Sequence, residues 1–348
     1  MPDLATAVVR PDVDLAAKVA FLSDPRSFAA GPASVESIET HMAWVFLAGP
    51  DAYKLKKPVR YPFLDFSTAD ARRVDCEAEV RLNQSLAPGV YRGVVPLLAD
   101  DAGRLHVGGC GTAVDWLVHM RRLPGERMLD RLIEAGRVDR SDLVRLGNVL
   151  AAFYRSARRV YFEPGEYARR FEREVGATRD ALADPRYALP TACIGAIAEA
   201  LARYLYEHGA VLEARARAGR IVEGHGDLRP EHVCLENPPV VIDCIEFNRD
   251  FRLLDPFDEL AYLTIECERL GAPGAGRLVG EQYQSLTGDL APSGLTDFYM
   301  GFRAQLRAKI AAWHVHDPSV RPPNKWLDRA RQYLRLAARH AGCGELTA

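Results

Sequence analysis

Apolar positions along this chain repeat with two different periods, and the change from one to the other divides it. Residues 12–23 carry helical spacing (Val13, Ala16, Ala17, Val19, Ala20, Leu22) that Pro25 and Pro32 end. A strand-rich section follows. Val35 to Thr40 alternates, Ala43 to Leu47 is a β-prone apolar run, Gly49-Pro50-Asp51 is turn chemistry, and Ala52 to Val59 resumes the alternation. A helix is expected from the capping pair Ser67-Thr68 through Leu86, then strands over 93–98, 104–107 and 113–120. Beyond Leu123-Pro124-Gly125 helical spacing dominates, over about 126–135, 141–157 (opened by Ser141-Asp142), 164–182 and 193–218. It returns over about 256–269, 275–286, 294–312 and 324–341, with short strands around Asp227 and Asp243 in between. The expected fold class is α+β: a strand-rich N-terminal lobe, residues 1–120, and a mainly helical C-terminal lobe, residues 121–348, with a cleft between them.

Composition narrows the setting. The 348 residues are 48% apolar and 26% charged, as in a soluble globular enzyme. A formal net charge of −2 gives no general attraction to nucleic acid or membrane. No window approaches the roughly 18 apolar residues of a membrane span. The seven cysteines are odd in number and form no Cys-x-x-Cys pair, which reads as thiols of a reducing cytoplasm. Met1-Pro2-Asp3-Leu4 opens no apolar core of signal-peptide length. A cytoplasmic protein with a small-molecule partner, and neither nucleic acid nor membrane as partner, is expected; oligomeric state is not encoded in these patterns.

The chemistry concentrates in two strings: His225-Gly226-Asp227-Leu228-Arg229-Pro230-Glu231-His232, and Val241-Ile242-Asp243-Cys244-Ile245-Glu246-Phe247. Each places an acid in or after a short apolar run. Phosphoryl transfer from a nucleotide needs two such carboxylates, one to accept the acceptor hydroxyl's proton and one to hold magnesium against the phosphates. Asp227 suits the first role and Asp243 the second, because Mg²⁺ prefers hard carboxylate oxygens. An isolated His-Gly-Asp turn more simply caps itself, but that does not account for both acids. In Ala52-Tyr53-Lys54-Leu55-Lys56-Lys57-Pro58, strand alternation puts Tyr53 and Leu55 on one face and Lys54 and Lys56 on the other. Such lysines can reach phosphates, although strand lysines more often form a solvated edge. Two other features carry nothing. Gly271 to Leu278 superficially resembles a P-loop but has Arg277 and Leu278 where Lys and Ser or Thr are required, and His314 and His316 do not share a helical face.

The first string resembles the catalytic loop of the protein-kinase-like superfamily, His-x-Asp-Leu-Lys-Pro-Glu-Asn, with a metal-binding Asp on the strand that follows. More narrowly, the chain is similar to the bacterial aminoglycoside-phosphotransferase-like family, in the branch often fused to a P-loop kinase domain. The similarity rests on Ile38-Glu39-Thr40-His41, Trp44-Val45-Phe46-Leu47, Tyr53 to Val59, Phe63-Leu64-Asp65-Phe66-Ser67-Thr68, Met120-Arg121-Arg122-Leu123-Pro124 and the Asp227 and Asp243 strings. No P-loop domain accompanies them, so a stand-alone form is expected. The resemblance implies a bilobal protein-kinase-like fold, ATP, Mg²⁺ and a small hydroxylated acceptor whose identity these motifs do not fix.

It also implies roles by position. Lys56 aligns best with the phosphate-binding strand lysine, with Lys54 second. The carboxylate that orients this lysine falls to Glu79, seven residues before Leu86 and on its helical face, rather than to Glu77. Met120 and Arg122 lie where backbone meets the adenine edge, and Thr40-His41 where a phosphate-covering loop would sit, without its glycines. Arg229 takes the place of a lysine that contacts the γ-phosphate, and Asp258 that of an acid bracing the catalytic loop. His232 stands where the superfamily has a metal-binding Asn. Imidazole suits softer ions than Mg²⁺, so His232 holds metal through water, or one metal site is weak, or Glu246 takes over part of the task. The leading expectation is an ATP-dependent small-molecule kinase acting on a hydroxyl. A nucleotide-binding pseudokinase is the second. A metal hydrolase built on His225, Asp227, His232 and Asp243 is the third, and it leaves Lys56 and Glu79 without a role.

Overall fold

In the computed structural model of the chain, residues 13–61, 63–316 and 323–344 are described. The first third forms α1 (Leu15–Leu22), β1 (Val35–Glu39), β2 (Ala43–Ala48), β3 (Asp51–Lys56), a small hairpin of β4 (Arg60–Tyr61) and β5 (Leu64–Asp65), α2 (Ala69–Asn83), β6 (Tyr91–Ala99), β7 (Leu105–Val107) and β8 (Thr112–Arg121). Six of the strands make one antiparallel sheet in the order β1-β2-β3-β8-β6-β7. Its inner face brings Phe46, Leu55, Leu97, Val114 and Leu117 together with Leu22 and Phe28, all buried. With Leu55 fixed in that core, the pleat turns Lys54 and Lys56 to the opposite face. Lys57-Pro58 stops β3 earlier than the alternation to Val59 suggests, because proline has no N–H for the ladder. Thr68 caps α2, accepting from the Ala71 N–H at 3.1 Å.

The remainder is helical: α3 (Leu129–Glu134), α4 (Arg140–Ser156), α5 (Glu166–Leu182), α6 (Thr191–Arg217), α7 (Pro256–Arg269), α8 (Pro273–Thr287), α9 (Leu295–Trp313) and α10 (Pro323–His340). The cap of α4 is Asp139, which accepts from the Ser141 N–H at 2.6 Å, so the helix opens just before the expected Ser141-Asp142. Every residue of α7 from Pro256 to Cys267 is buried. A helix buried all round is ordinarily apolar, so the acids Asp258, Glu259 and Glu266 within it must all find partners. Two short strands, Val222–Glu223 and Leu253–Leu254, pair antiparallel at either end of the segment containing Asp227. Among the described residues no helix is long and apolar enough to cross a membrane.

The chain divides into two compact units that do not follow the expected 120/121 boundary. One comprises the residues up to Gly125 together with Val240–Arg249; the other comprises Glu126–Pro239 and the residues from Asp250 onward. β8 runs unbroken through the expected boundary to Arg121. The Asp243 segment joins the first unit through backbone hydrogen bonds. Val241 N–H donates to the Leu86 carbonyl at 3.0 Å, Asp243 N–H to the Tyr91 hydroxyl at 3.0 Å and Cys244 N–H to Asn83 Oδ1 at 3.1 Å.

Candidate active site

In the first unit, the lysines of β3 meet a row of acids. Lys54 Nζ lies 2.9 Å from Glu79 Oε1 and 2.6 Å from Asp243 Oδ1. Lys56 Nζ lies 2.7 Å from Glu79 Oε2, 2.7 Å from Asp75 Oδ2 and against Glu246 Oε1. Glu79 is fully buried and serves both lysines; Glu77 instead pairs with Arg73 at 2.8 Å on the outer side of α2. Asp75, one turn before Glu79, shares its face. Asp75 Oδ2 is close to Lys56 but lies off any hydrogen-bonding direction and has no hydrogen-bond partner. Burial opposes the charge on both lysines, yet the surrounding carboxylates outweigh it and raise both pKa values well above the ordinary range. Burial pushes the Glu246 carboxyl upward, and Lys56 and Lys54 offset only part of that.

Asp243 adopts φ 64°, a left-handed conformation uncommon for a residue with a side chain. Its N–H is anchored on Tyr91, whose hydroxyl burial keeps neutral, and Asn83 secures the next residue while donating to the Glu79 carbonyl at 2.8 Å. The strained turn leaves the Asp243 side chain 40% exposed, while Glu79 at the same lysine is fully buried.

The resemblance favours Lys56 over Lys54, and the geometry favours the reverse. Lys54, not Lys56, reaches Asp243, and Lys56 is 1% exposed among three carboxylates. Alternation puts both lysines on one face and cannot separate them; the positions of Glu79 and Asp243 do.

In the second unit, the loop carrying Asp227 is held from within and from α7. Asp227 Oδ1 accepts from the Tyr262 hydroxyl at 2.9 Å, and Oδ2 lies 2.9 Å from Arg229 Nη2. Arg229 also reaches Glu231 Oε1 at 2.6 Å. Burial opposes ionisation of Asp227, but Arg229 above all, with Arg307 and the Tyr262 hydroxyl, holds its pKa down to about 2. The brace beneath the loop is Glu259 rather than its neighbour Asp258. Glu259 accepts from the His225 N–H at 3.1 Å, from the Gly226 N–H and from the Tyr154 hydroxyl at 2.8 Å. Asp258 is engaged by Arg303, with both contacts at 2.6 Å.

His232 turns inward. Its Nδ1 donates to the Asp227 carbonyl at 2.8 Å, and Arg229 Nη2 lies 3.1 Å from its Nε2. Arginine has only donors, so Nε2 accepts and both ring nitrogens are committed within the loop. His225 Nδ1 accepts from the Asp227 N–H at 3.2 Å. Among the described residues no group of three or more His, Cys, Asp or Glu side chains is arranged to hold a metal ion.

Residues 50–289 match the phosphotransferase enzyme family. The chain belongs to that family. A curated relative, the uncharacterized protein Rv2004c of Mycobacterium tuberculosis, is 33% identical over 278 residues, covering 78% of this chain and 53% of its own. The chain thus spans about half the length of the curated relatives it matches. Among solved structures, a choline/ethanolamine kinase family protein from Mesorhizobium loti is similar with a TM-score of 0.54 and 16% identity, over 92% of this chain and 96% of that one. Aminoglycoside 2'-phosphotransferase-IIIa, solved as its GDP complex, is similar with a TM-score of 0.52 and 17% identity, over 89% and 93%. The fold is protein-kinase-like, with a curled antiparallel sheet in one unit and helices in the other.

Within this family member the remaining expected positions are placed as follows. Met120 and Arg122 stand at the end of β8. Met120 is opposite Ala52 and Tyr91 in the sheet, while the Arg122 N–H donates to the Pro50 carbonyl at 2.9 Å and is not available to a nucleotide base. Glu246 is occupied by Lys56, and His232 by its own loop. Asp75, Tyr91, Asn83, Glu259, Tyr262 and Arg307 are the site residues that pattern reading missed. Only Asp75 had a signal, its four-residue spacing from Glu79.

Proposed function

We propose that the protein transfers the γ-phosphoryl group of ATP to a hydroxyl of a small molecule in a reducing, cytoplasmic setting, which its seven unpaired thiols support. The observation that carries this reading is Lys54, held between Glu79 and Asp243 in a chain of the phosphotransferase family. A lysine positioned by a buried carboxylate is a donor for phosphate oxygens, and the exposed Asp243 carboxylate beside it is a hard ligand. Asp243 fits magnesium, which commonly takes one or two carboxylates and completes its shell with phosphates and waters. When bound, Mg²⁺ supplies positive charge to the phosphate oxygens. Glu246 and His232 are spoken for, so Asp243 is the ligand assigned to it.

On the acceptor side, Asp227 orients the hydroxyl and receives its proton as the new P–O bond forms and the bond to the ADP oxygen breaks. Arg229 is the group that neutralises charge on the transferring phosphoryl. In this arrangement Arg229 rests on Asp227, and its transfer to a phosphate would return the carboxylate toward its ordinary basicity. A carboxylate held at about 2 is a feeble base, and this favours a second reading, a nucleotide-binding module without turnover. The loose transition state of phosphoryl transfer demands little of the base, which keeps catalysis first.

The experiment pairs ATP and GTP binding by calorimetry with a nucleotide-dependent phosphotransfer screen over sugars, sugar phosphates, hydroxy acids, amino alcohols, nucleosides and aminoglycosides. Turnover of a hydroxylated compound that Asp227→Asn abolishes is expected. Tight nucleotide binding with no turnover across the panel would establish the module instead.

A further inference from the structure

One face of α7 carries Tyr262, Glu266 and Arg269, four and three residues apart and so nearly in line. At one end Tyr262 bonds Asp227. At the other, Arg269 and Glu268 join Gln332, Arg335, Leu336 and Arg339 of α10 to line a pocket of about 200 Å³. Seven residues at the helical rise put the two ends roughly 10 Å apart. Glu266, fully buried, links them. Its Oε2 accepts from Arg269 Nε at 2.9 Å, and its Oε1 accepts from Arg307 Nε at 2.9 Å and the Tyr333 hydroxyl at 2.6 Å. The Arg307 guanidinium in turn sits 5.8 Å from the centre of the Tyr262 ring.

The uncommitted charge along this face has one sign. The pocket holds three guanidinium groups and one carboxylate, Glu268, which is already taken by Arg339 and by His340 Nε2 at 2.8 Å. Arg335 is exposed and makes no hydrogen bond or ion pair among the described residues. Arg307 commits only its Nε, leaving its terminal nitrogens open. The acids of α7 and of the Asp227 loop are engaged: Glu231 by Arg229, Asp258 by Arg303, Glu266 by two arginines and a tyrosine. In the pocket itself a cationic ligand would meet only Glu268, already held by Arg339 and His340. A phosphate or carboxylate would find planar forks of matching geometry.

We propose that the pocket of Arg269, Arg335 and Arg339 is an oxyanion subsite, and that the phosphoryl acceptor is an anionic hydroxyl compound whose phosphate or carboxylate sits there, roughly 10 Å along α7 from its reactive hydroxyl. The acceptor assignment rests on the phosphotransfer reading; oxyanion binding in the pocket does not.

The test titrates inorganic phosphate, and separately acetate, into the full chain by calorimetry, using the wild type, Arg335→Gln and Arg335→Glu, with unfolding midpoints as a control on folding. Saturable phosphate binding is expected, weakened about tenfold by Arg335→Gln and lost in Arg335→Glu, with midpoints unchanged. Among acceptors, sugar phosphates and hydroxy acids should be phosphorylated in preference to choline and kanamycin, and Arg335→Gln should raise their KM about tenfold with kcat little changed. Absence of saturable phosphate binding, or equal binding in both variants (an adventitious ion only), overturns the subsite. Turnover confined to cationic acceptors overturns the acceptor assignment. Arg335-dependent phosphate binding with no acceptor of either charge turned over upholds the subsite and sinks the phosphotransfer reading.

Discussion

Tyr262 donates its hydroxyl to Asp227 Oδ1 at 2.9 Å, so the proposed base is fastened to the buried helix α7 as well as to its own loop. Removing the hydroxyl in Tyr262→Phe deletes a hydrogen bond to an ionised group, commonly about 1.5–3 kcal/mol. Phosphotransfer should fall about tenfold or more through a mispositioned acceptor hydroxyl. The Asp227 pKa should rise, because one of the interactions favouring its charged form is gone. Unchanged kcat/KM would detach Tyr262 from the reaction.

The depressed pKa of Asp227 sets a pH expectation. A carboxylate that titrates near 2 when folded and at 3.8 otherwise stabilises the native state fully above 3.8, and that contribution disappears as the pH falls toward about 2. Activity between pH 5 and 7 should therefore show no acid limb from Asp227. In Arg229→Met, which removes the largest influence lowering this pKa, such a limb should move upward. A pH–rate profile of both proteins decides the matter, and an Asp227 limb already present near pH 5 in the wild type would contradict it.

The two β3 lysines should behave differently when removed. Lys56→Ala leaves Asp75 and Glu246 buried without their cation, and Glu79 with Lys54 alone, and should cost about 3–5 kcal/mol of stability. Lys54→Ala leaves the more exposed Asp243 and should chiefly weaken nucleotide binding and turnover. Urea unfolding beside ATP calorimetry separates these effects. A Lys56→Ala protein of normal stability that has lost ATP binding would restore Lys56 as the phosphate lysine.

The backbone at Asp243 allows a stability–function contrast. Its φ of 64° suits glycine, so Asp243→Gly should stabilise the protein by about 1 kcal/mol while abolishing Mg·ATP binding. Asp243→Ala should lose the binding without the stabilisation. Equal unfolding midpoints for the two variants would show that the turn relaxes.

How far all this was legible in the sequence varies with the kind of information. The helices and main strands follow from apolar spacing, and Asp227 and Asp243 are spelled out within short strings whose local turns their own residues dictate. The β4–β5 hairpin went unseen because strands of two residues carry no period. Glu259 and Asp258 are adjacent acids at the start of one helix, and only the tertiary positions of the His225 and Gly226 amides select the brace. The membership of Val240–Arg249 in the first unit rests on its backbone N–H groups donating to the Leu86 carbonyl, the Tyr91 hydroxyl and Asn83 Oδ1, tertiary pairings that no local pattern of spacing records.

His232 is where the chain departs from the Asn of the kinase-like pattern, and its geometry makes a definite prediction. With Nδ1 donating to the Asp227 carbonyl and Nε2 accepting from Arg229, the ring fixes the two groups on which the acceptor side depends. His232→Asn keeps an amide donor for the carbonyl but is too short to serve Arg229 as well. It should lower turnover several-fold while leaving the ratio of Mn²⁺- to Mg²⁺-supported activity unchanged, since no ring nitrogen is free for metal. His232→Phe keeps the bulk but leaves the Asp227 carbonyl without this donor, and should cost about 1–3 kcal/mol of stability besides. Activity with each ion across the two variants, together with their urea midpoints, tests this. A shift in ion preference in His232→Asn would mean that the ring leaves Arg229 to reach the metal when nucleotide is bound, and that Asp243 does not hold the ion alone.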